Sequence, residues 1–364
     1  MRFDYQARLK RMLDAADVDV VAFVPGANMI YFTGLHFHLS ERPIIAFASR
    51  DGLAFIIPLL EQIKVDQRPD LTARSFIWGD TEGYKGAFAE AVRELKLDQK
   101  RVGVDGRTMR VFEWLALQEA GLPTTNLTDV RLVLENLRAI KTAEEVAAIR
   151  KAIQISEDAL RRTLAATRPG MSEVAIASRL NDEMSAGGSQ GNAFMPIVLT
   201  GPKSALPHGG PDERTLSADE FLLIDFGGLY QEYPADITRT FCLGTPSDEM
   251  RRIYEAVYQA NAAARAAAGP GVTCGAVDKA ARDVIEAAGY GRYFTHRTGH
   301  GLGLEGHELP QIASGVSEVL QPGMVFTIEP GIYIPEIGGV RIEDVVHVTE
   351  TGIETLTSFP RELA

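Results

Sequence analysis

The chain has 364 residues, 45% of them hydrophobic and 24% charged, so it is longer than one ordinary domain and composed like a water-soluble globular protein. Its 37 basic and 49 acidic residues leave a formal charge of −12, which argues against nucleic acid or an anionic membrane as a partner and suits the binding of cations. The two cysteines, Cys242 and Cys274, lack a Cys-x-x-Cys spacing, so a disulfide framework is not expected and both read as small buried residues.

The first 19 residues are charged throughout and lack the apolar core of a signal peptide, while Leu9, Met12, Leu13 and Ala16 fall at helical spacing. No run approaches the roughly 18 apolar residues of a membrane span, so a cytoplasmic protein is expected. A short apolar strand over 20–24 stops at Pro25-Gly26. Runs 44–48 and 53–57 flank Asp51-Gly52, a hairpin signal because glycine supplies the positive φ of a tight turn. A helix over 87–95 and a strand over 101–104 complete an α/β domain spanning 1–133, followed by a linker over 134–141.

A second domain, 142–364, opens on Thr142-Ala-Glu-Glu145, a capping box that satisfies free N–H groups at a helix start. Val146, Ile149, Ile153 and Leu160 mark the buried stripe of that helix. Further helices are expected at 172–186, 247–268 and 275–288, with strands at 221–226, 233–242, 323–329 and 339–348. Helices beside antiparallel strands make this domain α+β.

Five residues of this domain carry chemistry. Asp225 ends the apolar run 221–224, where a lone carboxylate is costly unless paired or metal-bound. Asp236 follows eleven residues later on the expected return strand, and two carboxylates brought together there repel unless a cation lies between them. His300 lies among glycines in Thr298-Gly-His-Gly-Leu-Gly303. A phosphate loop fits poorly there, because no helix start follows, and glycines also argue against a zinc helix using His296 and His300. Glu329 ends a strand before Pro330-Gly331, and Glu343 sits in Val340-Arg-Ile-Glu-Asp344, in what reads as strand. Four carboxylates and one imidazole form the mixed ligand set that holds two divalent first-row metals, and a metal pair implies hydrolysis.

The spacing Asp-x10-Asp, then GHG, EPG and RIED, resembles the pita-bread metallopeptidases: prolidase, aminopeptidase P and methionine aminopeptidase, with creatinase as a metal-free relative. The resemblance covers nearly all of the second domain. NMIYFTGL and the 44–57 hairpin extend it to the creatinase-type amino-terminal domain that methionine aminopeptidases lack. It implies a dinuclear Xaa-Pro dipeptidase or aminopeptidase P acting through a metal-bridging hydroxide. The substrate would be a small peptide with proline in second place. By the same resemblance Asp225 chelates one metal, Asp236 and Glu343 bridge both, and His300 and Glu329 complete the other, with Glu329 also shuttling the proton. The metals would be manganese, with cobalt, zinc or iron as alternatives, and the protein a homodimer.

His208 and His307 match the two family histidines that hold substrate and steady the tetrahedral oxyanion. Thr238 is expected to orient a metal carboxylate, and Arg341, two residues from Glu343, to share its face and neutralise the cluster. His36, His38 and His347 read as ordinary residues, and His296 lies near the site without a role. Some prolidases clamp the dipeptide carboxylate with an arginine after the second histidine, yet residues 308–322 contain no Lys or Arg. Either another cation serves, with Arg42 of a neighbouring subunit as a candidate, or longer peptides are accepted. Two rival readings are a hydrolase of a non-peptide C–N bond, such as a cyclic amidine or N-acyl amino acid, and a non-catalytic binding module.

Overall fold

Helix starts are written into the chain as hydroxyl and carboxylate caps. Asp4 accepts from the Ala7 N–H and opens helix Tyr5–Ala16, which buries Leu9, Met12, Leu13 and Ala16. Thr142 and Glu145 close both halves of the capping box ahead of helix Ala143–Ala166, and Val146, Ile149, Ile153 and Leu160 are all buried along it. The hydroxyls of Ser172, Ser247 and Thr273 accept from the Ala175, Met250 and Ala276 N–H groups and so cap Glu173–Ala186, Asp248–Ala267 and Cys274–Ala287. The computed structural model describes residues 4–363.

The chain divides into two units between Arg138 and Ala139. Segment 134–141, read as a linker, holds the end of helix Arg131–Ala139, and the division falls inside it. The first unit is built on a six-stranded mixed sheet in the order Ala73–Trp78, Gly52–Pro58, Ile45–Ser49, Val20–Phe23, Val102–Val104 and Leu127–Asp129. The expected hairpin forms with Ser49 opposite Gly52, so Arg50-Asp51 makes the turn and Gly52 opens the return strand at φ 132°.

Among its described residues the second unit contains four antiparallel sheets, the smallest pairing Leu229–Tyr230 with Tyr233–Pro234. One holds Ile237–Phe241, Leu222–Phe226 and Ile197–Thr200. A five-stranded sheet runs Glu308–Ile312, Gly299–Gly301, Val325–Ile328, Asp344–Val348 and Ile353–Thr355. A hairpin pairs Gly331–Ile334 with Gly338–Arg341. Helices Asp248–Ala267 and Cys274–Ala287 share one apolar core with these strands, including Ile253, Val257, Phe326, Ile328 and Ile342. Both cysteines are buried and free. Among the described residues, no helix is long and apolar enough to cross a membrane.

Two expected strands are interrupted. The run 233–242 separates into Tyr233–Pro234 and Ile237–Phe241, and 339–348 into Gly338–Arg341 and Asp344–Val348. Asp236 and Glu343 lie in those breaks, and Glu329 lies between Val325–Ile328 and Gly331–Ile334. Each break passes the chain from one sheet to another. Apolarity alone does not show such a switch, which explains why Glu343 read as a mid-strand residue.

Candidate metal centre

Register brings the five sequence-predicted ligands together. Asp225 pairs across the ladder with Thr238, so Asp236 stands just beyond the end of that pairing. The Glu343 N–H donates to the Thr238 carbonyl at 3.1 Å, and the Glu329 N–H to the Thr298 carbonyl at 2.8 Å, which places both acids beside Asp236 and His300. One carboxylate oxygen each from Asp236 and Glu343 and one ring nitrogen of His300 lie within 4.8 Å of one another. His300 Nε2 is 3.2 Å from Glu329 Oε1 and 3.7 Å from Asp236 Oδ2.

The glycines around His300 have a steric reason. A Cβ on Gly299 would lie 1.8 Å from the Thr327 carbonyl oxygen, and one on Gly301 2.0 Å from that of Leu309. The tight packing is therefore against flanking backbone, and it lets the short strand Gly299–Gly301 insert between two others. Thr327 fixes both neighbours: its hydroxyl accepts from the His300 N–H at 3.0 Å and donates to Glu329 Oε1 at 3.1 Å.

A cavity of about 620 Å³ opens on this cluster. All five candidates line it, with His208, His296, His307, Arg297, Tyr333 and Arg341, and an apolar wall of Ala193, Phe194, Ile197 and Pro207. The His307 and His300 rings meet at a tilt of 50° with their centroids 3.9 Å apart. A buried ion pair braces the neighbouring backbone: Lys141 Nζ donates to Glu308 Oε1 at 2.6 Å, each side chain being 1% exposed. Thr238 Oγ1 donates to Glu343 Oε2 at 2.6 Å and accepts from Arg341 Nε at 3.0 Å. Arg341 acts mainly on Asp225 rather than on Glu343, with Nη2 2.6 Å from Asp225 Oδ2.

The metallopeptidase family M24 matches residues 147–350, and the creatinase/prolidase amino-terminal domain matches 6–140. This chain belongs to metallopeptidase family M24. An uncharacterized peptidase of Bacillus subtilis is 43% identical over 98% of both chains. The Xaa-Pro dipeptidase of Pyrococcus furiosus is 36% identical, again over 98% of each. The crystal structure of the Thermococcus sibiricus prolidase superposes with a TM-score of 0.93 at 32% identity, over 100% of this chain and 99% of that one. The architecture is accordingly an α+β pita-bread catalytic domain preceded by a smaller α/β creatinase-type domain.

The electrostatics of this M24 peptidase call for a cation. Burial, with the charges of Glu343, Asp225 and Glu329 added, pushes the Asp236 carboxyl well above its ordinary range. Burial and the charges of Glu329 and Asp225 do the same to Glu343. Burial also raises Asp225, although the Arg341 charge opposes it. Among the described residues Asp225 Oδ1 is buried with no hydrogen-bond partner. An orphaned oxygen and acids that repel one another when ionised are groups a divalent ion would satisfy, so the donors fit a metal. Glu329 differs: burial raises it, but the His300 hydrogen bond and nearby positive charge outweigh this and hold it at about 2.

Three cavity residues escaped the reading of the sequence in role. His296 accepts or donates at Tyr333 Oη, 2.8 Å from its Nε2, and Arg341 Nη1 donates to the same hydroxyl at 2.8 Å. Burial pushes Tyr333 up to about 12, so it stays a phenol and can serve both neighbours. Tyr333 had no local signal beyond strand alternation. Arg297, next to His296, lay in plain view but carries no pattern of its own. Outside the cavity, His347 lies on strand Asp344–Val348 with Nδ1 3.8 Å from Glu354 Oε2. In the first unit Arg42 is held by both oxygens of Asp80, at 3.0 and 2.8 Å.

Proposed function

We propose that this metallopeptidase cleaves the Xaa-Pro bond of small peptides, using two divalent ions, manganese foremost, held by Asp225, Asp236, His300, Glu329 and Glu343. The carrying observation is the buried, under-neutralised carboxylate cluster at the floor of a cavity with an apolar wall. The likeness to Xaa-Pro dipeptidases over nearly the whole chain supports the substrate class. When bound, the ions supply Lewis acidity to a water and to the scissile carbonyl.

The side chains do the rest. Glu329, ionised in this setting, takes the proton of the attacking water and returns it to the prolyl nitrogen, which must leave as a secondary amine. Burial and the His300 charge depress His307 to about 4, so at neutral pH it is an uncharged donor suited to a developing oxyanion. His208, across the same cavity, holds the peptide. Ala193, Phe194, Ile197 and Pro207 offer the pyrrolidine ring an apolar seat. A cytoplasmic homodimer is part of this reading, on the strength of the family resemblance.

The test is metal stripping by chelation and reconstitution with Mn²⁺, followed by assay on Ala-Pro, Ala-Pro-Ala, Ala-Ala and an N-blocked Xaa-Pro compound. Cleavage of Ala-Pro that vanishes on chelation and returns with Mn²⁺, with Ala-Ala left intact, is expected. Failure to cleave any Xaa-Pro bond in the reconstituted enzyme would refute the reading.

A further inference from the structure

The cavity has two arginines, and only one of them is neutralised. Arg341 is committed to Asp225, Thr238 and Tyr333. Arg297 is half-buried on the same wall, and its one side-chain contact among the described residues is Nη1 donating to the Gln311 amide oxygen. Gln311 is itself oriented, since its amide nitrogen donates to the Glu308 carbonyl at 3.2 Å, leaving the oxygen for Arg297. It also pairs in register with His300, so this contact lies beside the metal cluster. A neutral amide positions a guanidinium without cancelling its charge, and most of the five N–H donors stay unspent. A half-desolvated arginine on a cavity wall is completed by an anion that accepts from its planar fork.

We propose that Arg297, positioned by Gln311, receives the substrate's terminal carboxylate and so makes the enzyme selective for dipeptides. The proposal rests on the Xaa-Pro reading. In Xaa-Pro the carboxyl carbon lies two bonds, about 2.5 Å, from the scissile nitrogen, so its receptor must share the cavity in which that bond is cut. In a longer peptide the same position carries an uncharged amide, and Arg297 is left desolvated without its anion. No Lys or Arg in 308–322 is needed, because the cation arrives from residue 297 and meets that segment at Gln311.

The experiment is a two-by-two comparison of the Mn²⁺-loaded wild type and Arg297→Gln on Ala-Pro and Ala-Pro-amide, with Arg297→Lys as a charge-restoring variant. Melting temperatures accompany each variant. Wild type should prefer Ala-Pro, and Arg297→Gln should lose about 100-fold in kcat/KM on Ala-Pro while changing less than about 3-fold on the amide. Arg297→Lys should recover part of the loss. Calorimetry should show L-proline binding to wild type more tightly than prolinamide, and that difference should vanish in Arg297→Gln. Equal loss on both substrates, or an unchanged preference, would overturn the proposal. A wild type that cleaves the amide and Ala-Pro-Ala as readily as Ala-Pro overturns it alone, whereas one that cleaves none of the three overturns the Xaa-Pro reading as well.

Discussion

Glu343 and Asp344 are neighbours in the chain, both are buried carboxylates, and they are treated in opposite ways. Asp344, 0% exposed, accepts from Arg239 Nη2 at 2.9 Å, Arg361 Nε at 2.6 Å and Thr357 Oγ1 at 2.7 Å. Burial alone would raise it, but Arg239 and Arg361 outweigh that and hold it at about 2. Glu343 has one hydroxyl partner, Thr238, and faces other acids, so its carboxyl is pushed well up. Where a buried charge serves the fold, the chain supplies its own counter-charge. At Glu343 the chain supplies no such ion pair among the described residues, which under the proposed function leaves the neutralisation to a bound ion. The Asp344 cluster also ties down the C-terminal segment, because Arg239 donates to the carbonyls of Phe359 and Pro360.

The contrast predicts opposite signs for isosteric changes at adjacent positions. Glu343→Gln should reduce Mn²⁺-dependent peptidase activity by roughly 10³-fold or more, since a direct ligand should matter more than the 10–100-fold typical of its supporting partners. In chelated protein the same change removes a repelling charge, so stability to urea should hold or rise. Asp344→Asn should act the other way, leaving Arg239 and Arg361 buried without their anion and costing about 3–5 kcal/mol in urea unfolding. If Glu343→Gln destabilised the chelated protein as much as Asp344→Asn does, the two clusters would not differ as described. Thr238→Val is the gentler probe. Losing the hydroxyl that links Glu343 to Arg341 should weaken Mn²⁺ binding about 10–100-fold by titration with little change in fold.

The same pair shows what could be read without coordinates. Periodicity and the Thr142 capping box placed the main helices because such signals act within a few residues, and the structure adds caps at Ser172, Ser247 and Thr273. The five candidate residues were legible as a spaced pattern, and all five line one cavity. The chain breaks at Asp236, Glu329 and Glu343 were not legible, because a switch between sheets depends on which other strands each half pairs with, and Glu343 itself is held by Thr238, 105 residues away. Arg341 was expected near Glu343 by strand alternation, yet its partner proved to be Asp225, 116 residues away. Arg297 was not legible as a neighbour of the segment after His307, because the fold brings it to Gln311 from before His300.

The smallest expected effect sharpens the comparison through pH. In the chelated protein Asp236 and Glu343 are raised, so the folded state binds their protons more tightly than the unfolded chain does. That contribution is fully present at or below the ordinary carboxylate range and is lost as pH rises through the raised values. Asp344 and Glu329, both held at about 2, run the other way: their contribution is present above the ordinary range and lost only as pH falls toward 2. Between pH 5.5 and 8 the second pair is constant, and only the first acts. The metal needs these acids ionised, so its uptake displaces the protons and becomes more favourable as pH rises. The gain in melting temperature from Mn²⁺ should therefore be larger at pH 8 than at pH 5.5, by about 2–4 °C for each 1 kcal/mol of linkage. A gain that is equal at both pH values, or larger in acid, would mean that the acids beside His300 are already neutralised by the chain itself, as Asp344 is.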